Sequence, residues 1–115
     1  MTTVSIARCA SYDQEAVRGA WDALLEPLGG LASYVKRGDT VLLKPNLVTH
    51  ADVESATTTH PAVVAEALSR VRDLGARPVV GDSPAFGSAE AVAEAAGIGA
   101  VARRFDAPIV DFRHR

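Results

Sequence analysis

The chain reads as an α/β domain: a parallel, Rossmann-like, three-layer sheet built from βαβ units. Three observations predict it. Val41-Leu42-Leu43 is apolar without alternation, the pattern of a strand buried on both faces. Arg77 to Gly81 reads as the next strand, with Pro78-Val79-Val80 feeding into Gly81-Asp82-Ser83-Pro84. Between them Val63, Val64, Ala67, Leu68, Val71 and Leu74 recur at helical spacing, so Thr40 to Gly81 has the length of a right-handed crossover. The two strands then run parallel and aim Lys44–Asn46 and Asp82–Ser83 at one edge. Ligands bind at that edge in open α/β sheets.

Each element has a local reason. Thr2 to Arg8 alternates Val4 and Ile6 with small or polar residues, which predicts a short first strand. Ser11 or Asp13 caps a helix whose stripe is Val17, Ala20, Trp21, Leu24, Leu25 and Leu28, with Trp21 in the core. Pro27 and Gly29-Gly30 end it, Leu31 to Lys36 adds a turn, and Arg37-Gly38-Asp39 turns into the Thr40–Leu43 strand. Pro45 removes a backbone donor and keeps Lys44 out of the helical region, so that strand stops. The polar stretch from Lys44 to Thr59 exceeds the usual strand-to-helix connection, and such length marks a binding segment or a disordered one. Thr59 or His60 caps the next helix, Pro61 occupies its first turn and Gly75 closes it. Gly87-Ser88 opens an alanine-rich helix to Ala96, Gly97-Ile98-Gly99 breaks it, and a turn or short helix runs through Arg104. Pro108 to Phe112 is a last strand. No helix follows it, which leaves one sheet face bare. The reading is of an incomplete domain, covered by a carboxy-terminal domain, another chain or a homodimer mate.

Composition narrows the partners. With 115 residues, 48% hydrophobic and 23% charged, the chain makes one globular domain over residues 1–115. Net charge is −2 and the basic clusters Arg103-Arg104 and Arg113-His114-Arg115 are short, so no nucleic-acid footprint is expected. No apolar run approaches a membrane span and the amino terminus lacks a signal pattern, which predicts a soluble, cytoplasmic chain with no membrane contact. Cys9 is the one cysteine, so no cysteine-ligated cluster or internal disulfide can form; at the end of the first strand it reads as a small buried thiol.

Candidate chemistry gathers at the carboxyl edge. Lys44 is a compact cation suited to a carboxylate or phosphate, or a surface lysine reaching past the sheet. Asn46 orients a ligand or ties the long loop to itself. Thr58, Thr59 and the first amides of the following helix cradle an anion, or cap the helix in the ordinary way. His60 suits acid–base work or metal binding, or is a cap. Asp82 is a base, a metal ligand or a turn carboxylate, with Ser83 beside it. The candidate set is thus catalytic His60 and Asp82, with Lys44, Asn46, Thr58, Thr59 and Ser83 binding a small anionic molecule. His50 and His60 form no zinc pattern, no phosphate-loop signature is present, and no second carboxylate is spaced to pair with Asp82.

Val41-Leu42-Leu43-Lys44-Pro45-Asn46-Leu47-Val48, then Thr58-Thr59-His60-Pro61 before an amphipathic helix ending in Gly75-Ala76, then Val80-Gly81-Asp82-Ser83-Pro84, resemble the amino-terminal part of the domain-of-unknown-function 362 family. The resemblance runs from about Val4 to Phe112. It implies a portion of a longer protein, since such members are typically more than twice this length. Many carry ferredoxin-like cysteine motifs for four-iron, four-sulfur clusters; a cluster would here lie outside the chain and supply a redox role from there. Where the family usually has a glycine after Gly-Asp-Ser-Pro, this chain has Ala85, with Gly87 two residues on. The family is similar at fold level to nickel-pincer lactate racemases, which implies an alternative: proton transfer on a small carboxylate or phosphate. A noncatalytic interaction module that docks through the bare face is the third reading.

Overall fold

The computed structural model describes residues 2–49 and 51–113. His50, His114 and Arg115 lie outside the described residues, so the zinc-pattern reading at His50 and most of the last basic cluster are not addressed. The elements run α1 (Gln14–Leu25), β1 (Thr40–Leu43), α2 (Pro61–Asp73), β2 (Arg77–Asp82), α3 (Ala89–Ala95), α4 (Ile98–Arg104) and β3 (Ile109–Asp111). The sheet order is β1-β2-β3 and both pairings are parallel. Leu43 pairs with Val80, and Asp82 with Asp111.

One face of this sheet makes the core. Val80 is fully buried there with Leu68 of α2, Val92 of α3 and Ile98 of α4, and Leu43 and Ile109 pack against them. Helix α1 lies outside α2 and touches the sheet little. Its stripe is therefore half-buried, Trp21 included, and only Val17 is sealed. Polar groups clamp the two helices. Arg70 reaches Glu66 at 3.0 Å and Asp22 at 2.7 Å, and Glu66 takes Arg18 at 3.7 Å.

Two helix starts follow the expected chemistry, but α1 does not: Asp13 precedes it without its side chain accepting a helix amide, and the Ser11 hydroxyl accepts only the Asp13 amide at 3.3 Å. Pro61 opens α2 and the Ser88 hydroxyl accepts the Ala91 amide at 3.1 Å to cap α3. After α2 the chain turns at Gly75, where φ is 78°, a value that an L side chain rarely adopts.

Two expectations for the amino terminus fail together. Thr2 to Arg8 forms no strand, because no neighbouring strand among the described residues offers it a ladder. It is an exposed arm, with Val4 80% and Ile6 90% accessible. Cys9 goes with it: the thiol is exposed, and its Sγ donates to the Ser11 carbonyl at 3.0 Å.

The opposite sheet face carries Leu42, Val79, Val110 and Phe112, the strand residues that alternate with the core set. No helix among the described residues covers it. The sheet and one helical side are present; the third layer is not supplied by these residues.

Candidate functional site

The carboxyl ends of the strands carry three charged residues in a row. Lys44 follows β1, Asp82 ends β2 and Asp111 ends β3. Lys44 Nζ lies 2.9 Å from Asp82 Oδ1, and the Leu47 amide donates to Asp82 Oδ2 at 2.8 Å. Both oxygens of a buried carboxylate are thus engaged. Burial pushes the Asp82 pKa up, but the Leu47 amide, the Lys44 ammonium and the Ser83 amide outweigh it and hold the carboxyl below its usual range. In this arrangement Asp82 anchors the loop entering from β1. To act as a base it would first have to release Lys44.

Asp111 repeats the device one strand over. Its Oδ2 accepts the Ala89 amide at the start of α3, at 2.9 Å, and Arg113 grips both oxygens, Nε at 2.9 Å and a terminal nitrogen at 2.6 Å. The Arg113 guanidinium dominates the lowering of the Asp111 pKa, against burial. No spacing in the sequence marks a carboxylate as the neighbour of Asp82. The signal was there in register, since Val80-Gly81-Asp82 and Ile109-Val110-Asp111 each end a strand on aspartate, but spacing of 29 residues conveys nothing until the sheet order is known.

The remaining candidates meet elsewhere. The Asn46 amide donates to Thr59 Oγ1 at 2.9 Å, the Thr59 amide donates back to the Asn46 carbonyl at 3.2 Å, and Asn46 Nδ2 reaches the Thr57 carbonyl at 3.4 Å. This clasp closes the long loop directly ahead of His60. His60 caps α2: its Nδ1 accepts the Ala62 amide at 3.0 Å, which places the ring proton of the neutral form on Nε2. The Val63 amide bonds the His60 carbonyl, Val64 does so more weakly, and Pro61 has no amide hydrogen. The helix amides expected to cradle an anion are therefore already satisfied within the chain.

Asn46, Thr57, Thr58, Thr59 and His60 line one cleft of about 580 Å³, with Glu54 and Val53 also in its lining. Thr58 Oγ1 is sealed from solvent and has no hydrogen-bond partner among the described residues. Ala56, also in the wall, holds a left-handed φ of 56°, a conformation that costs a non-glycine residue about 1–2 kcal/mol. Tyr12, which sequence reading did not single out, stacks on the His60 ring with centroids 3.6 Å apart and an interplanar angle of 3°. Nothing in its sequence context marks it; the contact joins the base of the exposed arm to the start of α2. Ser83 is exposed, follows Asp82 and does not line the cleft. The seven candidates thus divide: Asn46, Thr58, Thr59 and His60 at the cleft, Lys44, Asp82 and Ser83 at the strand ends, joined through Leu47.

Residues 41–115 match the family described as Domain of unknown function (DUF362). The chain belongs to the DUF362 family. Among related proteins, the thylakoid-associated protein sll1697 of Synechocystis sp. is 46% identical over 111 residues, which is 96% of this chain and 35% of that protein. This DUF362 chain therefore spans about a third of the length of the curated relative it matches. No solved structure matches it. The DUF362 residues in hand do not fit an iron–sulfur cluster, which takes several thiolates, since Cys9 is the one cysteine of the chain. No helix among the described residues is long and apolar enough to cross a membrane.

Proposed function

We propose that this DUF362 chain binds a small anionic molecule at the carboxyl edge of its sheet, in the cleft ahead of α2. Any redox or iron–sulfur role of the whole protein is supplied by residues outside the chain. The observation that carries the reading is the convergence of Asn46, Thr58, Thr59 and His60 on that one cleft. Its donors are side chains: the His60 Nε2 proton, the hydroxyls of Thr58 and Thr59, and the Asn46 carboxamide. The amino end of α2 adds a positive partial charge. The Thr58 hydroxyl, unpartnered among the described residues, is a buried group whose desolvation a ligand oxygen would offset after a small loop shift. Lys44 fixes the loop through Asp82 and keeps a half-exposed ammonium near the same edge.

Titration with inorganic phosphate, acetate and lactate, followed by amide chemical shifts, tests the reading. Perturbations are expected to concentrate in residues 57–63. Thr58→Val and His60→Ala should each weaken binding about tenfold, the effect of losing one hydrogen bond to a charged group. His60→Ala should also cost about 1 kcal/mol of stability through the lost cap, measured by urea unfolding, whereas Thr58→Val should not destabilise. Shifts confined to surface lysines and arginines, or none, would reject the site. The place of action is read as the cytoplasm; the name of the Synechocystis relative ties that protein to the thylakoid, and fractionation of cells expressing the tagged chain distinguishes the two.

A further inference from the structure

We infer that Tyr12 is a positioning residue of the cleft: its ring holds the His60 imidazole in one orientation and one tautomer, with the Nε2 proton left for a ligand oxygen. The use of that proton rests on the anion-binding reading above, whereas the positioning stands apart from it.

Three groups converge on this histidine, and each fixes a different degree of freedom. Pro61 follows it and confines its backbone, which is extended at φ −64° and ψ 137°. The Ala62 amide, at 3.0 Å, fixes Nδ1 through a contact made in the plane of the ring. Rotation about the Cβ–Cγ bond is left, a torsion that in histidine is broad and nearly two-fold. Turning the ring over sets a carbon-bound hydrogen against the Ala62 amide and strands it. Tyr12 opposes that turn from the side, because its ring lies parallel to the imidazole at 3° with centroids 3.6 Å apart. At this separation the two faces overlap almost fully, so any tilt of the imidazole drives it into the phenol.

Tyr12 also stands between two spaces. It lines the cleft with Asn46 and Thr58, and it lines a cavity of about 250 Å³ among α1, α2 and α4 with Val17 and Phe105. Its ring therefore shields one face of His60 from water. A solvated neutral imidazole finds a donor or an acceptor for either nitrogen and adopts both tautomers. A shielded one keeps its proton where the Ala62 bond leaves it, on Nε2. The tyrosine precedes α1 and the histidine precedes α2, so the stack is set by the packing of those two helices, which Arg70 clamps through Asp22.

Long-range proton–nitrogen correlation spectra of the imidazoles decide the matter, recorded at about pH 8.5, on the neutral side of the imidazole reference value. The chain has three histidines, and the signals missing from His60→Ala are those of His60. In the parent chain His60 should show one protonated and one unprotonated nitrogen, well separated. In Tyr12→Ala the two should move toward each other as the ring samples both tautomers. Inorganic phosphate should bind that variant about fivefold more weakly, within the range for loss of an aromatic pair. Tyr12→Phe keeps the ring and drops the hydroxyl, so it should restore both the spectrum and the affinity.

Tyr12 is 58% exposed, so the alanine variant is expected to stay folded. If it does not, Tyr12→Leu carries the comparison, since it fills space without a planar face. Unmoved His60 nitrogens in the folded variant overturn the inference. So does a phenylalanine variant that behaves like the alanine one, because the stack alone would then not hold the ring. Averaged nitrogens with unchanged phosphate affinity overturn the part of Tyr12 in binding and leave the anion site standing. A parent chain that binds no phosphate rejects the anion site instead, and the nitrogen spectra still decide the positioning.

Discussion

Asp82→Ala is expected to lower the stability of the folded chain by roughly 2–4 kcal/mol, read from urea unfolding at neutral pH. The cost has two parts. The Leu47 amide, buried beside a side chain that is 1% exposed, loses its acceptor. The charge-assisted contact to Lys44 is also lost, although that ammonium is half-exposed and returns to water at little cost. Asp82→Asn keeps an acceptor for Leu47 and should fall between alanine and the parent. The pH dependence has a definite sign. The folded carboxyl titrates below its ordinary value of 3.8, so its contribution is complete above about pH 4 and is lost as pH falls through the lowered value. The acid limb of the stability curve should therefore flatten in Asp82→Ala. Equal urea midpoints for Asp82→Ala and the parent would show that the carboxylate is not the anchor described.

Leu68→Ala should cost about 2–5 kcal/mol, the range for truncating a fully buried leucine. Leu68 is inaccessible in the middle of α2, packed among Val64, Val80 and Ile98, so relaxation around the vacated volume is limited. Leu42→Ala provides the contrast. That side chain belongs to the same sheet but is half-exposed on the bare face, and its truncation should change stability by less than about 1 kcal/mol in the isolated chain. A Leu42 effect as large as that of Leu68 would contradict the assignment of faces.

Much of the fold was legible because periodicity and chain punctuation agree. Pro61, Gly75 and the apolar spacing between them mark α2 at its observed bounds, and the continuous apolar runs at Val41 and Val79 mark parallel strands. The first strand was misread because alternation shows only that a segment suits a ladder, and Val4 and Ile6 meet no partner strand here. The misplaced Cys9 follows from the same error. At the loop, the positions of Asn46, Thr58, Thr59 and His60 ahead of α2 were legible, while their hydrogen-bond partners were not. Lys44 and Asp82 are 38 positions apart, yet they share a hydrogen bond, and Asp111 enters only through strand register. His60 offered two readings, and its Nδ1 bond to the Ala62 amide establishes the cap while leaving Nε2 unused by that bond.

Asn46 and Thr59 exchange two hydrogen bonds, and Leu47 is tethered to the sheet, so the intervening stretch is a bubble tied off at its neck. Lengthening such a bubble costs little, since closure entropy grows only logarithmically with its size. The stretch thus behaves as an exchangeable cassette. Its contents can be rewritten while the clasp keeps the scaffold on either side in place.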